Sequence, residues 1–174
     1  MIHLEKITWD NADDVIALRV AREQKDFLPS NVDSLVDAYL SLSEGKPVYP
    51  FAIYNDKKAV GFIMIDYSHD WSGYKHEAWL NSDEYKFYKD KPYYYIWRFM
   101  IDKRYQMRGY GRKAIRQAIE FVKTFPCGEA EYCVLSYSPT NEAAKKFYES
   151  VGFVEINGDG YYEENDERSA VLKL

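Results

Sequence analysis

The stretch Tyr-Tyr-Tyr-Ile-Trp-Arg-Phe-Met-Ile at residues 93–101 limits the fold more than any other part of the sequence. Its aromatic and β-branched side chains predict a β-strand. A polar loop containing glycine follows at 102–109, and residues 110–124 then carry apolar side chains at helical spacing. A strand followed by a helix in this way predicts a crossover to a parallel neighbouring strand.

Further strands and helices are expected on both sides of this unit. A hairpin with its turn at 55–58 predicts antiparallel pairing, whereas the alternation of strands and helices after residue 93 predicts parallel pairing. The predicted fold class is α/β (α+β): a mixed, mostly antiparallel central sheet of about seven strands with helices on both faces, as a single domain over residues 1–174. The other strands are expected at 2–8, 49–54, 59–66, 130–136, 153–157 and 168–174, and the other helices from Asp10 or Asn11 to about Asp26, from Ser30 or Asn31 to about Ser43, and from Pro139 to about Ser150.

The loop Gln106-Met107-Arg108-Gly109-Tyr110-Gly111 has the composition of an anion site. Glycine lets the backbone approach a ligand closely, and the N–H groups at a helix start bind anions with help from the helix dipole. Arg108, Arg112 and Lys113 add positive charge. The loop therefore predicts a ligand that carries phosphate groups.

Three interpretations of these glycines can be compared on the loop alone, and the sequence excludes the first. A nucleoside triphosphatase loop requires Lys and then Ser or Thr after its last glycine, whereas Arg112 and Lys113 follow here. Gly109, Gly111 and Ala114 formally satisfy a dinucleotide fingerprint, but the preceding strand ends several residues too early. The plainest interpretation is a loop whose glycines only shape a turn.

A second motif lies downstream, Asn141-x-x-Ala144-x-x-x-Tyr148-x-x-x-Gly152-Phe153. Together with Gln106-x-x-Gly109-x-Gly111 and the preceding strand, it resembles the GNAT superfamily of N-acetyltransferases. The resemblance covers the whole chain in topology and residues 93–153 in motif. It implies the GNAT-type acyl-CoA N-acyltransferase fold, acetyl-CoA as co-substrate without a metal, and direct attack by a primary amine in a ternary complex.

A closer likeness lies in two segments. Residues 20–28, Val-Ala-Arg-Glu-Gln-Lys-Asp-Phe-Leu, and residues 98–102, Arg-Phe-Met-Ile-Asp, are similar to bacterial diamine and polyamine N-acetyltransferases. This likeness implies a small cationic acceptor such as spermidine or spermine. Two alternatives remain: another amine (an amino acid, an aminoglycoside, or a protein N-terminus or lysine), and an acyl-CoA-binding module without catalysis.

The resemblance also implies which residues contact the cofactor. The end of the strand would pair with the pantetheine arm, the loop amides would hold the pyrophosphate, and Asn141 would contact the pantetheine or adenosine part. The plainer interpretations are sheet core, solvated side chains and a helix-start residue. The expected contacts are Phe99, Met100, Ile101, Gln106, Met107, Arg108, Gly109, Tyr110, Gly111, Arg112 and Asn141.

Tyr148 is the residue that the resemblance implies as general acid. A phenol with a reference pKa of about 10 can protonate a leaving thiolate whose thiol has a pKa of about 8.5. The alternative is an aromatic side chain that packs the helix, because Phe147 is its direct neighbour.

Acetyl transfer also needs a group that takes a proton from the ammonium, directly or through water. Glu23 lies one helical turn from a second carboxylate, and Glu77 lies between Trp71 and Trp79. Paired carboxylates, or a carboxylate among aromatic rings, suit a polyamine through ion pairs and cation–π contacts. Ordinary solvated carboxylates are the plainer interpretation. The remaining candidates are Asp26, Asp66 and Glu84.

The composition disfavours two classes of protein, those that bind nucleic acid and those that span a membrane. A net charge of −5 without a basic stripe disfavours nucleic-acid binding. No run approaches the roughly 20 apolar residues that span a bilayer, and the N-terminus lacks a signal-peptide core, so we expect a soluble cytoplasmic protein.

The cysteines and histidines show no pattern typical of a metal site. Cys127 and Cys133 have neither metal-ligand spacing nor the density of a disulfide scaffold, and we interpret them as small buried apolar residues. The aromatic side chains, 17 Tyr, 9 Phe and 4 Trp, fit a half-wet cleft or a homodimer interface. The three histidines are His3, His69 and His76.

Overall fold

The computed structural model describes residues 1–68, 91–156 and 167–174. Within them, seven strands form one sheet in the order β1-β2-β3-β4-β5-β7-β6. The β1–β2, β2–β3, β5–β7 and β6–β7 pairs are antiparallel. The expected α/β class with a seven-stranded sheet is therefore confirmed. The strands are β1 Ile2–Lys6, β2 Val48–Asn55, β3 Lys58–Tyr67, β4 Tyr93–Ile101, β5 Tyr132–Tyr137, β6 Val154–Glu155 and β7 Arg168–Lys173.

Four α-helices and one short 3-10 helix accompany the strands in the described residues. None of these helices is long and apolar enough to cross a membrane. The chain folds into two compact units. The first unit comprises Met1–Asp66 and Ile96–Pro126, and the second Tyr67–Tyr95 and Cys127–Leu174. The helices are α1 Ala12–Ala17, the 3-10 helix Arg22–Phe27, α2 Asn31–Ser43, α3 Tyr110–Val122 and α4 Glu142–Glu149.

The first unit is built on the β2–β3 hairpin. Asn55 pairs with Lys58 across a two-residue turn, and Asp56 adopts a left-handed φ of 54° there, which aspartate tolerates better than most residues. Buried side chains from α1, α2, β2, β3 and β4 form one apolar cluster, as the alternating and helical patterns predict. Its members include Val15, Leu18, Ala38, Val48, Ala52, Tyr54, Phe62, Met64 and Met100.

Gly61 lies where β3 meets the end of β4. A Cβ atom built on Gly61 would lie 2.4 Å from the Met100 carbonyl oxygen and 2.8 Å from Ile101 Cδ1. Both distances are far below van der Waals contact, so this position requires glycine for close packing of the two strands.

The first helix ends earlier than predicted. We expected a continuous helix to about Asp26, but α1 stops at Ala17 and Leu18 is extended at φ −64° and ψ 144°. The backbone of Arg19 is engaged elsewhere: its N–H donates to Asp102 Oδ2 at 2.9 Å, and its carbonyl accepts from Lys103 N at 2.8 Å. These bonds replace the helical bonds, and the 3-10 helix begins only at Arg22.

The next helix begins after Ser30, one of the two predicted starts. Ser30 is the N-cap of α2: its Oγ accepts from Asp33 N at 3.2 Å, and the Asp33 carboxylate accepts from Ser30 N at 3.3 Å. This reciprocal capping box satisfies two backbone donors at the helix start. Asn31, the first helical residue, is buried and donates through Nδ2 to the Val15 carbonyl at 2.8 Å. That contact joins α2 to α1.

The second unit pairs β5 with β7, and the short β6 with β7. The Tyr94 hydroxyl donates to the Gly128 carbonyl at 3.0 Å and accepts from Cys127 N at 3.1 Å. Asn141 caps α4, since its Oδ1 accepts from Ala144 N at 3.1 Å. The sequence also indicates a short helix near 81–89 and a polar turn between the last two strands, and both fall on residues 69–90 and 157–166, which lie outside the described residues.

Candidate active site

The loop between β4 and α3 has the backbone of an anion site. Met107 and Gly109 both have left-handed φ values, 58° and 73°, and Gly109 is the N-cap of α3. The first N–H groups of a helix have no partner within it, so those of Tyr110 and Gly111 are available to water or a ligand. The Met107 side chain is fully exposed.

Positive side chains surround this loop. The ring of Tyr105 lies within 5.5 Å of Lys58 Nζ, 5.4 Å of the Arg104 guanidinium and 5.7 Å of the Arg108 guanidinium. Cations hold such positions over the negative face of an aromatic ring. Arg108 and Arg112 are exposed. Because Arg104 is paired with Asp102, Lys58 and Arg108 are the cations at Tyr105 that could balance the charge of phosphate groups at the start of α3.

The end of β4 presents its backbone in two directions. Asp102 N donates to the Val60 carbonyl in β3, and the Met100 carbonyl lies beside Gly61 in the same strand. Because backbone polar groups alternate along a strand, those of Phe99 and Ile101 point away from β3. This orientation puts the backbone groups of Phe99 and Ile101, and not those of Met100, on the side away from β3, where the Ile101 carbonyl accepts from Gln106 Nε2. Met100 instead contributes a buried side chain to the core cluster.

Asp102 joins β4, the loop and the segment after α1. Its carboxylate is 1% exposed and accepts from Arg19 N, Arg104 N, Arg104 Nε and Arg104 Nη2 at 2.7–3.1 Å. Burial alone would raise the pKa of this carboxyl. The hydrogen bonds from Arg104 and Arg19 outweigh burial and hold the pKa below its ordinary value.

Gln106 is turned back toward the protein. Its Nε2 donates to the Ile101 carbonyl at 2.9 Å and to Gln24 Oε1 at 2.8 Å. Gln24 belongs to the 3-10 helix that also carries Glu23 and Asp26. The first unit thus brings the predicted cofactor loop next to one of the predicted acceptor segments.

Tyr148 lies in the second unit in an aromatic cluster. The exposed fraction of its side chain is 9%, and its ring centroid lies 5.9 Å from Tyr137, 5.3 Å from Phe147 and 6.0 Å from Phe153. Burial raises the pKa of the Tyr148 phenol. The hydroxyl therefore stays protonated throughout the neutral range, as a proton donor requires.

These local features fit one family, and the comparison with family models decides the assignment. Residues 13–153 match the acetyltransferase (GNAT) family. The chain belongs to that family. It is therefore an N-acetyltransferase that takes its acetyl group from acetyl-CoA, and the expectation from the two motifs is confirmed.

Individual relatives agree with the family. The acetyltransferase is 26% identical over 161 residues to a spermine/spermidine N(1)-acetyltransferase of Bacillus subtilis strain 168, covering 91% of this chain and 90% of that protein. A PaiA N-acetyltransferase of Thermoplasma acidophilum in complex with coenzyme A has a TM-score of 0.62 at 12% identity, covering 100% and 99% of the two chains. The ribosomal-protein-S18-alanine N-acetyltransferase of Escherichia coli has a TM-score of 0.59 at 15% identity, covering 98% and 91%. The two solved structures share the fold.

The carboxylates of the acetyltransferase lie in different environments. Glu23 and Asp26 are exposed on the 3-10 helix, whereas Asp66 is buried near the end of β3 with 7% exposure. Glu77 and Glu84 lie outside the described residues. Among the residues that are described, no group of His, Cys, Asp or Glu is arranged to hold a metal ion. Cys133 is fully buried, and burial raises the pKa of its thiol.

Asn141 of the acetyltransferase already has a structural role. Its Oδ1 accepts the capping hydrogen bond from Ala144 N at the start of α4. This is the plainer of the two interpretations of Asn141, a helix-start residue. The amide nitrogen and the second lone pair of Oδ1 are the groups of Asn141 that could contact a cofactor. The Gln24–Gln106 contact had no signal in the sequence, because the two residues lie 82 positions apart.

We expect Asp102→Asn to lower the free energy of unfolding by about 1–3 kcal/mol at pH 7, because the amide leaves a buried donor without an acceptor. The folded-state pKa of Asp102 is depressed. Its contribution is therefore complete above the unfolded pKa of about 3.9 and is lost as the pH falls through the folded value. Urea unfolding between pH 7 and pH 2.5 should show the gap between wild type and variant narrowing only below about pH 4.

The exposed Asp10→Asn variant serves as the control for loss of one negative charge in the same unit. It should match the wild type over this pH range. A gap for Asp102→Asn that is constant down to pH 2.5 would contradict the ionic role of Asp102.

Proposed function

We propose that the acetyltransferase acetylates a primary amine of a small polycation, a polyamine or a diamine. The likeness to the Bacillus subtilis enzyme carries this proposal, because it extends over nearly the whole of both chains. The carboxylates on the 3-10 helix support it. Glu23 and Asp26 are exposed and three residues apart, so they lie on the same side of a 3-10 helix. Two carboxylates at this spacing can bind one ammonium group.

The cofactor half of the proposal depends on the β4–α3 loop. The amides from Gln106 to Arg112 hold the pyrophosphate, and Lys58 and Arg108 at Tyr105 balance its charge. The backbone groups of Phe99 and Ile101 pair with the pantetheine arm as an added strand would. The N–H groups at the start of α3 and the basic side chains beside them are of the kind that coenzyme A requires.

The proposed acetyl transfer uses one residue as a base and another as an acid. Acetyl-CoA supplies the thioester carbonyl that the amine attacks and the sulfur that leaves. Glu23 accepts a proton from the ammonium, directly or through water, and Glu77 is the alternative base. Tyr148 gives a proton to the departing sulfur. The N–C bond forms as the C–S bond breaks, and no covalent intermediate with Cys127 or Cys133 is required.

The acceptor is tested by measuring thiol release from acetyl-CoA with a panel of amines. We expect kcat/KM for spermidine and spermine to exceed that for acceptors with a single amine, such as most free amino acids and N-terminal peptides, by at least about tenfold, because one ammonium group of a polyamine can be bound while another amine reacts. Preference for a peptide or an aminoglycoside would replace the polyamine with the other class of amine. Binding of CoA without turnover of any amine would indicate a binding module.

Gly109→Ala tests the cofactor loop. A Cβ atom at Gly109 would meet nothing within 4 Å, so in the free protein the variant has only the backbone strain of a left-handed alanine, about 1–2 kcal/mol. With the cofactor bound, the same Cβ hinders close approach of the pyrophosphate. We expect KM for acetyl-CoA to rise about tenfold, the equivalent of one weakened charge-assisted hydrogen bond.

Gly45→Ala is a matched control. Gly45 has φ 76° against 73° for Gly109, and a Cβ there also meets nothing within 4 Å. Gly45 follows α2, away from the cofactor loop. Both variants should lose similar stability in thermal unfolding, but only Gly109→Ala should raise KM for acetyl-CoA. Equal KM values in the two variants would remove the loop from the cofactor site.

Tyr148→Phe tests the proton donor. Loss of general-acid catalysis should lower kcat about 10²-fold while the KM for acetyl-CoA stays near the wild-type value. Tyr137→Phe is the control, because it removes a hydroxyl from the neighbouring ring. The Tyr137 hydroxyl donates to Glu155 Oε2 at 2.7 Å, and no role in proton donation is proposed for it. Unchanged kcat in Tyr148→Phe, measured by thiol release at saturating amine, would assign proton donation to another group.

A further inference from the structure

The orientation of the Gln106 side chain is determined by its partners. The Ile101 carbonyl can only accept a hydrogen bond, so the Gln106 atom facing it must be the Nε2 donor. The same nitrogen donates to Gln24 at 2.8 Å. Gln106 therefore uses its side-chain nitrogen to hold the end of β4 and the 3-10 helix together.

The partner side chain is determined in the same way. Gln24 Oε1 accepts from Ala21 N at 3.1 Å, and a backbone N–H can only donate. One oxygen of Gln24 thus closes the first turn of the 3-10 helix and receives the bond from Gln106. Loss of this oxygen would release both the helix start and the loop contact.

Two more hydrogen bonds join the same two segments. Arg19 N donates to Asp102 Oδ2, and Lys103 N donates to the Arg19 carbonyl. Residues 19–24 are therefore attached to residues 102–106 at both ends. Of these three contacts, the Gln24–Gln106 bond joins the residue after Glu23 to the first residue of the predicted pyrophosphate loop.

We infer that Gln24 is a positioning residue that couples the two substrates. Binding of coenzyme A fixes the loop and, through Gln106 and Gln24, orders the 3-10 helix that presents Glu23 to the amine. A segment that the first ligand has ordered has less entropy to lose when the second ligand binds, so the second ligand binds more tightly. The inference depends on the proposed function for the identity of both ligands.

Two variants at one position separate this role from packing. Gln24→Glu keeps an oxygen that accepts from both Ala21 N and Gln106 Nε2, whereas Gln24→Met has similar size and no strong acceptor. A third variant, Gln106→Glu, replaces the donor with an oxygen that would face the Ile101 carbonyl. The inference requires that Gln24→Glu retain coupling and that Gln24→Met and Gln106→Glu lose it.

Hydrogen exchange gives a readout that does not depend on turnover. Peptides covering residues 19–27 of the full chain are followed with and without coenzyme A. Exchange there should slow about fivefold or more on binding in the wild type and in Gln24→Glu, and should not respond in Gln24→Met, although all three proteins bind coenzyme A. With spermidine as the amine, Gln24→Met should raise the dissociation constant of the amine about fivefold or more in the presence of coenzyme A, while the dissociation constant of coenzyme A in the absence of amine stays near the wild-type value.

The outcomes separate the coupling from the proposed function. If coenzyme A binds the wild type and exchange at 19–27 does not change, the coupling is wrong and the proposed function stands. If Gln24→Met lowers thermal stability and kcat and raises both KM values, and Gln24→Glu does not restore them, the role of Gln24 is purely structural and the inference is overturned. Absence of coenzyme A binding in the wild type would overturn both.

Discussion

The carboxylate of Asp102, buried at the end of β4, accepts four hydrogen bonds from two stretches of chain far apart in sequence. One bond comes from the backbone of Arg19, and three come from Arg104. A buried carboxylate must be satisfied in this way, because the cost of removing a charge from water is otherwise too large. The end of α1, the path of the following loop and the placement of the 3-10 helix all depend on these four bonds.

Local patterns in the sequence predicted the elements that depend on local forces. The aromatic run of β4, the glycine before α3 and the capping side chain of Asn141 each act within a few residues, and the structure has all three. The end of α1 could not be predicted, since residues 18–21 would continue a helix by their own preferences. Arg19 leaves the helix because its backbone groups bond to residues more than 80 positions away. A contact of that range has no periodic pattern.

The candidate site shows the same difference between what local patterns determine and what distant contacts determine. The two motifs sufficed for the family, and with it for the acetyl donor, because they combine spacing with the order of strands and helices. Gln106 was expected to contribute to the pyrophosphate loop, and the structure shows that its side chain contacts the protein itself. Side-chain direction in a loop depends on what lies beside it, which the linear sequence does not contain.

Tyr148 illustrates how burial acts on a side chain that is proposed as a proton donor. Surrounding rings exclude water from the phenol and raise its pKa, so the proton is retained at neutral pH. The same change makes the phenol a weaker acid, with a larger difference from the pKa of a thiol. If Tyr148 is the proton donor that we propose, its rate advantage comes from positioning, because its acidity is reduced.

Gly61 is a buried strand residue that contacts neither substrate in the proposed reaction. Its missing side chain nevertheless lets β3 approach the Met100 carbonyl, and the position of β4 in turn determines where the backbone groups of Phe99 and Ile101 point. Substitution of Gly61 is therefore restricted by how closely β4 approaches it. Among diverging relatives, Gly61 should be retained along with the cofactor loop, although a survey of ligand contacts would not include it.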